Sequence, residues 1–458
     1  MNKKIINISG SSGVGKTTIA KMIVFLLSNK NVDVLHLSGD DLHKWERDDD
    51  NWKKFTHLNP KANNLDIGNI QLMNLVRGSK IKRNIYNHDT GKFIRNVTIE
   101  PADVIVNEGL HTLYDSDVCN ASDLNIFVNT DSELTKEWKL SRDTESRGYT
   151  EEQVLSIMKM RDKDDKKYIQ PQIENADVIV NFSKKPYDSV DMKIFSNVED
   201  SDLMVKLQKF YDLHKEFLIS CRSLSFEYDL IQGAGGNMSY KFNNKIVITS
   251  SGYTMSDVSM LNGYSVCDTD GFPINNNQKK PSMEINLHTK IKQPIVLHTH
   301  PIYLNTILCS QNSKEIMKVV LKDYDYLYIP YVSPGRDLAS VFPKTDKEII
   351  LLENHGLICC GNNFKKVLDI SLKITKLCKD WLVTNTKTFT NYSTKFKTDN
   401  YEHFLFPDAV VLTEENSSIN DYMLHIQREV GLNPRCLSQR EIVKLRNMEE
   451  EKYRRSLV

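Results

Sequence analysis

Short apolar runs separated by polar loops dominate the first part of the chain and predict alternating strands and helices. The run at residues 4–9 is typical of a buried strand, and the run at 19–27 is typical of a helix. Between them lies a loop at 10–18 that is rich in glycine and serine. Two further strands are predicted at 32–38 and 103–108, and both are followed by or end in acidic residues.

In the second part of the chain, a long helical pattern precedes several short strands. An amphipathic helix or helix pair is predicted at 203–226. Strands are predicted at 240–242, 245–249, 294–297 and 348–352. Several of these strands run directly into segments rich in glycine, serine or histidine, so the chemistry of this part is expected at strand ends.

The segment between the two parts has neither a helical nor a strand period. Residues 186–202 are mixed and aperiodic and contain a proline, which predicts a linker. The expected layout is therefore a first domain at 1–185, the linker at 186–202, a second domain at 203–386 and a C-terminal extension at 387–458. The extension is expected to pack on the second domain or at a subunit interface.

Composition agrees with a multidomain globular protein and excludes several classes. The 458 residues exceed one ordinary core, and 40% hydrophobic with 26% charged residues is typical of a soluble fold. A formal net charge of zero gives no reason to expect nucleic acid or an anionic membrane surface as a partner. Met1–Asn7 runs straight into the first strand, so no signal peptide is expected there. Eight cysteines without a paired CxxC pattern indicate a reduced, cytoplasmic protein.

The glycine-rich loop is the strongest motif of the first domain. A strand, a loop of the form GxxxxGK[ST] and a helix form a phosphate cradle, in which backbone N–H groups and the helix N-terminus face the anion. Lys16 would reach the outer phosphates, and the Thr17 hydroxyl is placed for Mg²⁺. The alternative, a flexible loop with an incidental lysine, is disfavoured by the spacing. The predicted nucleotide-binding residues are Gly10, Ser11, Ser12, Gly13, Val14, Gly15, Lys16, Thr17 and Thr18.

Acidic residues at the ends of two predicted strands are candidates for the chemistry. Ligands lie at the carboxyl ends of parallel strands, so Asp40, Asp41 and Glu108 are expected to face the phosphate cradle. Asp40 is the preferred base for an attacking hydroxyl, although Asp40 or Asp41 would also suit a helix N-cap. Glu108 is expected beside the magnesium and phosphates, or as a cap of the next loop.

Basic residues follow in two groups. Lys139 and Arg142 share a helix face, and Arg147 lies at the predicted end of that helix. Cations converging near a phosphate cradle suit phosphoryl transfer, although a basic helix face is more often simply solvated. The segment 80–91, which includes Tyr86 and His88, is a second candidate for holding an anionic substrate and is alternatively a solvated loop.

The motifs GSSGVGKTT, GDDLHKWER, THLNPKANNLD, YNHDTG, NEGLH and KLSRDTESRGYT, in this order, resemble the phosphoribulokinase/uridine kinase family over residues 1–185. The resemblance implies an α/β P-loop kinase domain with a mostly parallel, doubly wound sheet. It implies Asp40 as catalytic base and Glu108 as the acid at the metal. Substrate contacts are implied for His43, Arg47, Tyr86, His88, Lys139, Arg142 and Arg147.

Histidines in the second domain form a candidate metal site. His298 and His300 follow an apolar run, and side chains two apart on a strand share one face. His355 ends another predicted strand, and Glu284 lies upstream. Three histidines and a carboxylate match an open catalytic Zn²⁺ site, although each histidine taken singly is more often structural. Asn237 and two Ser/Gly turns are either anion cradles or plain turns.

The motifs GAGGNMS, TSSG, PSMEINLH, HTHP and NHG resemble the class II aldolase/adducin family over about 205–385. The resemblance implies an α/β/α fold around a mainly antiparallel sheet, with Zn²⁺ or another divalent metal on His298, His300 and His355. Glu284 is implied as metal-site carboxylate and acid/base, and a C-terminal tyrosine, Tyr453 or Tyr401, as a residue that completes a neighbouring subunit's site. The implied phosphate contacts are Asn237, Ser251, Gly252 and Ser282, and Met283 stands where some relatives have serine.

Together these features predict a bifunctional, cytoplasmic enzyme of sugar metabolism. The first domain would use ATP and Mg²⁺ to phosphorylate a sugar or sugar phosphate, and the second would perform metal-dependent aldol cleavage or condensation. The alternatives are a uridine-type kinase joined to a ketose-phosphate 4-epimerase, or to a non-catalytic interaction module. A homo-oligomer, either dimer or tetramer, with small-molecule partners only is expected.

Overall fold

The computed structural model describes residues 3–28, 32–47, 49–185, 190–197, 202–274, 279–393, 403–411 and 414–455. The chain forms two compact units, Met1–Asp212 and Leu213–Val458. No helix in these described ranges combines the length and the apolar character needed to cross a membrane.

The first unit is built on a six-stranded sheet with strands in the order β2-β5-β1-β6-β7-β8. All neighbours are parallel except β7 and β8. The six strands of this sheet are β1 Lys4–Ser9, β2 Val34–Ser38, β5 Val104–Glu108, β6 Leu124–Thr130, β7 Val178–Lys184 and β8 Val190–Ser196. A separate two-stranded sheet is formed by β3 Ile81–Asn87 and β4 Lys92–Ile99. The helices are α1 Lys16–Leu27, α2 Asp50–Lys54, α3 Leu65–Val76, α4 Ser116–Asn120, α5 Ser132–Arg147, α6 Glu151–Asp164 and α7 Asp202–Leu224.

Burial explains why the central strands of this sheet are nearly continuous apolar runs. Ile5 and Ile8 of β1, and Ile105 and Val106 of β5, are each at most 1% exposed although successive side chains point to opposite faces. A parallel sheet is covered by helices on both faces, so its inner strands cannot alternate apolar and polar residues. The predicted α/β fold with a mostly parallel sheet is confirmed.

The segment predicted as a linker contains an edge strand of the first unit. β8 pairs antiparallel with β7, in a register that sets Met192 opposite Phe182. Met192 is 1% exposed, so this strand contributes to the core. The unit boundary lies between Asp212 and Leu213, inside α7. An edge strand needs only one buried face, so it shows only a short run of alternating apolar and polar residues. Such a run is easily mistaken for an aperiodic segment.

The second unit is built on a seven-stranded sheet in the order β11-β10-β9-β12-β15-β14-β13. Every neighbouring pair is antiparallel except β13 and β14, which confirms the predicted mainly antiparallel sheet. The strands are β9 Asn237–Phe242, β10 Lys245–Thr249, β11 Tyr264–Asp268, β12 Ile295–Thr299, β13 Leu327–Ile329, β14 Ile349–Leu352 and β15 Gly356–Gly361. The helices are α8 Ile285–Lys290, α9 Ile302–Leu308, α10 Ser313–Val320, α11 Arg336–Val341 and α12 Phe364–Asn385.

In the described part of the C-terminal extension, four helices pack onto this second unit. They are α13 Pro407–Val411, α14 Glu414–Val430, α15 Gln439–Asn447 and α16 Glu449–Arg455. Gln427 of α14 is buried and donates to the carbonyl oxygens of Thr306 and Cys309, at 2.8 and 3.1 Å. These bonds satisfy carbonyls at the end of α9, which leads away from the strand that carries the predicted metal ligands.

Candidate active sites

The glycine-rich loop connects β1 to α1 in a conformation that requires glycine. Gly10 has φ +146°, and a Cβ atom there would lie 2.3 Å from the carbonyl oxygen of Val128. α1 begins at Lys16, so the last loop residues and the helix N-terminus present backbone N–H groups to the same space. This is the arrangement of an anion cradle, where the helix dipole adds positive potential.

Lys16, Thr17 and Glu108 meet beside this cradle. The Lys16 Nζ donates to the Ser11 carbonyl at 2.8 Å, and the Thr17 hydroxyl donates to Glu108 Oε1 at 3.1 Å. Burial lowers the pKa of Lys16, and the carboxylates of Glu108 and Asp40 oppose that shift. The structure thus places Glu108 at the residue predicted to hold Mg²⁺, with hard oxygen ligands of the kind that Mg²⁺ prefers.

Asp40 is held at the end of β2 by a chain of hydrogen bonds. His88 Nε2 lies 3.2 Å from Asp40 Oδ2, and the Arg147 guanidinium lies 3.3 Å from His88 Nδ1. Since a guanidinium can only donate, Nδ1 is the acceptor and the Nε2 proton points at Asp40. Burial alone would raise the pKa of Asp40, but the His88 hydrogen bond and the positive charge of Lys16 hold it well below its ordinary value. The Asp40 carboxylate is therefore ionised at neutral pH.

Asp41 has a structural role instead. Its carboxylate accepts from the Tyr86 backbone N–H at 2.8 Å and pairs with the Arg83 Nε at 3.3 Å. The turn after β2 is capped by Ser38, whose hydroxyl accepts from the Asp40 N–H at 3.3 Å. The suggested N-cap role of Asp40 or Asp41 is therefore wrong at this turn, because the serine at the strand end already fills the cap position.

The predicted basic residues of α5 gather at the same edge. The Lys139 Nζ donates to the Ser12 hydroxyl of the cradle at 3.3 Å. Arg142 and Arg147 both contact Asp143 Oδ1, at 2.8 and 3.3 Å. Asp143 is buried and contacts both guanidinium groups. This contact disfavours the alternative interpretation, in which the basic helix face is simply solvated.

Arg161 on α6, which was not predicted from the sequence, joins this group. Its Nε is buried and has no hydrogen-bond partner within the described ranges. Burial lowers the pKa of Arg161. The carboxylates of Asp143 and Asp40 oppose this shift, and the positive charges of Arg147 and Arg142 add to it. No local pattern distinguishes Arg161 from other basic residues, because its approach to α5 depends on helix packing.

An aromatic wall lines the acceptor side of this site. His43 is buried, bonds Asn63 Oδ1 through Nδ1 at 2.8 Å and lies 3.7 Å from Asp40 Oδ1 through Nε2. The buried Tyr86 ring lies 5.5 Å from His43, and Trp52 and His57 complete the wall. The Arg47 guanidinium donates to the His88 carbonyl at 2.6 Å. Of the predicted substrate contacts, His43 and His88 lie beside Asp40, and Arg47 and Tyr86 contact His88. Trp52 and His57 were not predicted.

The Lys139 environment gives a pH prediction. Lys139 is 3% exposed, and burial, followed by the charges of Arg161 and Arg142, lowers its pKa to about 7. Only the ammonium form neutralises phosphate, and it is lost as pH rises through this pKa. We expect kcat/KM for ATP to fall by about tenfold between pH 6 and pH 8. A steady-state pH profile measures this, and Lys139→Arg should flatten it because arginine stays charged. A wild-type profile that is flat across this range would contradict the prediction.

In the second unit, three histidines converge at the end of β12. His298 Nε2 and His300 Nε2 are 2.9 Å apart. One ligand atom from each of His298, His300 and His355 lies within 4.8 Å of the others. The three imidazoles are buried, and burial lowers the pKa of His298 to about 3, so its ring is neutral.

Hydrogen bonds at Nδ1 fix which nitrogens carry protons. His298 Nδ1 lies 3.0 Å from the Leu357 carbonyl, and His300 Nδ1 lies 2.7 Å from Asp408 Oδ2. Both partners can only accept, so both Nδ1 atoms are protonated and both Nε2 atoms present lone pairs. Two lone pairs facing each other at 2.9 Å are favourable only around a cation or an added proton. This donor set fits a divalent metal that accepts imidazole nitrogen.

Glu284 completes this group from the start of α8. Its Oε2 lies 3.3 Å from His298 Nε2, and its Oε1 lies 3.2 Å from His355 Nε2. Burial would raise the pKa of Glu284, but the hydrogen bond with His355 Nε2 helps to hold it well below its ordinary value. The Asn237 amide donates to Oε2 at 2.8 Å, and fixes the carboxylate. His355 Nδ1 is buried and, among the described residues, has no hydrogen-bond partner.

The predicted phosphate residues lie around a pocket that adjoins these ligands. Its lining includes Asn237, Ser251, Gly252, Ser282 and Met283, together with Glu284, His300 and His355. The side-chain amide of Asn237 hydrogen-bonds Glu284 through Nδ2 and His288 through Oδ1. These bonds compete with the predicted contact between Asn237 and a phosphate. Ser251 and Gly252 present a turn in which Gly252 has φ +81°. Met283 lies between Ser282 and Glu284, so the site lacks one hydroxyl that a second serine would supply.

Two carboxylates of the C-terminal extension line the same pocket and were not predicted. They are Asp408 of α13 and Glu451 of α16, both buried. Tyr453, one of the two tyrosines suggested to complete a neighbouring subunit's site, has its ring 4.2 Å from the Lys280 Nζ. The other, Tyr401, lies outside the described residues. No sequence pattern links the extension to the histidines, because the contact depends on the packing of α13.

Two family models match the chain. Residues 5–186 match the phosphoribulokinase/uridine kinase family, and residues 216–382 match the class II aldolase and adducin N-terminal domain. The first match agrees with the site around Asp40, and the second with the site around His298. The C-terminal extension with Asp408 and Glu451 lies outside both matched ranges.

Individual proteins show the same division. A phosphoribulokinase of Synechocystis sp. is 36% identical over 176 residues, which cover 38% of this chain and 52% of that protein. The chain thus spans about half the length of the phosphoribulokinase it matches. An L-fuculose phosphate aldolase of Methanocaldococcus jannaschii is 31% identical over 174 residues, which cover 36% of this chain and 90% of that protein. A solved phosphoribulokinase structure from Rhodobacter spheroides is 22% identical, with a TM-score of 0.34, and the match covers 40% of this chain and 71% of that one.

Proposed function

We propose that this chain, whose second unit belongs to the class II aldolase and adducin family, is a bifunctional enzyme of sugar metabolism. Its first unit, of phosphoribulokinase/uridine kinase type, transfers a phosphoryl group from ATP to a hydroxyl of a sugar or sugar phosphate. Its second unit cleaves or forms a carbon–carbon bond in a sugar phosphate with the help of Zn²⁺ or another divalent ion. Both reactions act on small molecules.

The proposal for the first unit is carried by the ionised Asp40 beside the phosphate cradle. The cradle and Lys16 hold the triphosphate, while Thr17 and Glu108 are placed to bind Mg²⁺. Asp40 accepts the proton of the attacking hydroxyl, and His88 keeps the carboxylate aimed at that position. The chemistry is mostly positioning and charge neutralisation, for which these groups suffice.

The cations beside Asp40 favour a phosphorylated acceptor over a nucleoside. Lys139, Arg142, Arg147 and Arg161 lie at one edge, and Asp143 balances only part of their charge. A guanidinium pair suits two oxygens of one phosphate. Some of this charge serves the transferred phosphoryl group, and the remainder is available to an acceptor phosphate.

The proposal for the second unit is carried by the two unprotonated Nε2 atoms of His298 and His300 that face each other at 2.9 Å. His298, His300 and His355 would hold the ion, which, when bound, polarises the carbonyl of a chelated hydroxy-ketone. Glu284 is ionised and held by Asn237, so its carboxylate is poised to take a proton from the substrate hydroxyl. The Ser251–Gly252 turn and Ser282 face the same pocket and would hold the substrate's anionic end.

The two activities are chemically compatible. A kinase that phosphorylates a ketose at its terminal hydroxyl produces the anionic group that the second pocket would recognise. The intact ligand set disfavours a non-catalytic interaction module. A 4-epimerase would use the same ion and the same bond cleavage and then recombine the fragments, so it is distinguished by product.

The test is a screen of the purified full-length protein. Ketoses, sugar phosphates and nucleosides are offered with ATP and Mg²⁺, and the products are then followed by NMR with Zn²⁺ or Co²⁺ present. We expect phosphorylation of a sugar or sugar phosphate, followed by two fragments. A single epimeric product would replace aldolase with epimerase. Exclusive phosphorylation of nucleosides, with no metal bound, would overturn the proposal.

A further inference from the structure

Asp408 connects the C-terminal extension to a predicted metal ligand. It lies on α13, is 4% exposed, and accepts a hydrogen bond from His300 Nδ1 at 2.7 Å. The family match for the second unit ends at residue 382, well before this residue. The contact therefore comes from a part of the chain that the family model does not include.

The carboxylate has a specific consequence for His300. A neutral imidazole carries one proton, and the Asp408 carboxylate can only accept a hydrogen bond. The proton of His300 therefore lies on Nδ1, and Nε2 keeps its lone pair. Nε2 is the atom that faces His298. A carboxylate behind a histidine also fixes the plane of the ring and makes the ligating nitrogen more basic.

The surrounding backbone is shaped to permit this contact. A Cβ atom at Gly235 would lie 3.1 Å from Asp408 Oδ2 and 3.3 Å from His300 Nδ1. Both distances are tighter than ordinary contacts, so the glycine lets the chain approach the pair closely. The carboxylate and the imidazole are thus enclosed by backbone as well as by α13.

A second tie from the extension holds the residue next to His355. Asn354 has φ +52°, and its amide donates to the carbonyls of Leu405 and Arg435, at 2.7 and 2.6 Å. The Arg435 guanidinium donates in return to Asn354 Oδ1 at 2.7 Å. The extension therefore braces the ligand loop of His355 as well as the ring of His300.

We propose that Asp408 is a positioning residue of the metal centre, and that the described part of the C-terminal extension at 403–411 and 414–455 completes this centre. The inference rests on the proposed metal site. Residues 216–382, which the family model matches, are therefore insufficient for full metal affinity, because the orientation of His300 depends on Asp408 outside that range.

The test compares the full-length wild type with Asp408→Asn, which keeps the volume of the side chain and removes its charge. Affinity for Zn²⁺ is measured by competition with a chromogenic chelator, and Co²⁺ absorption reports the ligand geometry. We expect a loss of affinity of about 10–100-fold and an altered Co²⁺ spectrum. Glu429→Gln, an exposed carboxylate of α14, is the matched control and should change neither.

The outcomes separate this inference from the proposed function. A wild type that binds no metal would overturn the proposed metal site. A wild type that binds metal, together with an Asp408→Asn variant of equal affinity and identical Co²⁺ spectrum, would overturn the role of Asp408. Should Asp408→Asn fail to fold, histidine ¹⁵N NMR of the metal-free wild type decides, with His300 assigned by His300→Gln. Protonation of His300 at Nδ1 supports the inference, and protonation at Nε2 overturns it.

Discussion

Replacing Asp40 with asparagine is expected to reduce kcat for phosphoryl transfer by about 10²–10⁴-fold, the contribution typical of a general base. Asparagine keeps the size of the side chain but cannot accept the proton of the attacking hydroxyl. Lys16 and the glycine-rich loop are untouched, so KM for ATP should change little. A coupled assay of ADP release under saturating acceptor measures kcat directly.

Asp41→Asn is the matched control, because it makes the same change at the adjacent residue. Asp41 pairs with the buried Arg83 and accepts from the Tyr86 backbone N–H, so this variant should lower thermal stability and largely retain kcat. The roles would be reversed if Asp41→Asn lost turnover and Asp40→Asn retained it. An Asp40→Asn variant that keeps more than about a tenth of wild-type kcat would place the base elsewhere.

The pH dependence of the same reaction provides an independent check on Asp40. Its pKa lies below the ordinary value, since the His88 hydrogen bond and nearby positive charge outweigh burial. A carboxylate with a depressed pKa stays ionised as pH falls through its usual range. Loss of activity on the acid side should therefore not follow the ordinary titration of an aspartate near pH 4.

The sequence allowed the cradle and its partner acid to be predicted because both rest on short-range patterns. The spacing of Gly10–Thr18 specifies its own backbone, and parallel strands bring Asp40 and Glu108 to one edge. Arg161 and Trp52 could not be predicted in this way, because their position depends on how α6 and α2 pack and no motif of either helix indicates it. His57 lies in the THLNPKANNLD motif, but the motif by itself does not show that its ring packs beside Trp52.

The candidate metal site could likewise be predicted only in part. The spacing of His298 and His300 follows from strand geometry, but the network behind Glu284 depends on pairing between strands. β9 and β12 pair with Asn237 opposite His298, which brings the Asn237 amide to Glu284. Register of this kind is set by the whole sheet. The contact between Asp408 and His300 could not be predicted either, because Asp408 lies on α13, a separate helix that packs against the site.

Replacing His298 with alanine is expected to abolish aldol activity and to spare ATP turnover. The change removes one of three imidazole ligands. Zn²⁺ affinity should therefore fall by more than the roughly 10–100-fold expected for Asp408→Asn, which affects only a residue that contacts a ligand. Loss of the ion removes several kcal/mol of carbonyl polarisation, which corresponds to at least about 10³-fold in rate. Metal content by mass spectrometry, NMR of the cleavage products and ADP release are measured on one preparation.

The comparison with a histidine outside the site makes this result specific. His403 is an exposed residue of the C-terminal extension, and His403→Ala should retain bound metal and both activities. Wild-type metal content in His298→Ala would remove His298 from the ligand set. Because His298 lies in the second unit and the glycine-rich loop in the first, the two activities should respond separately. Equal loss of aldol activity and ATP turnover in His298→Ala, with normal behaviour of His403→Ala, would contradict two independent active sites.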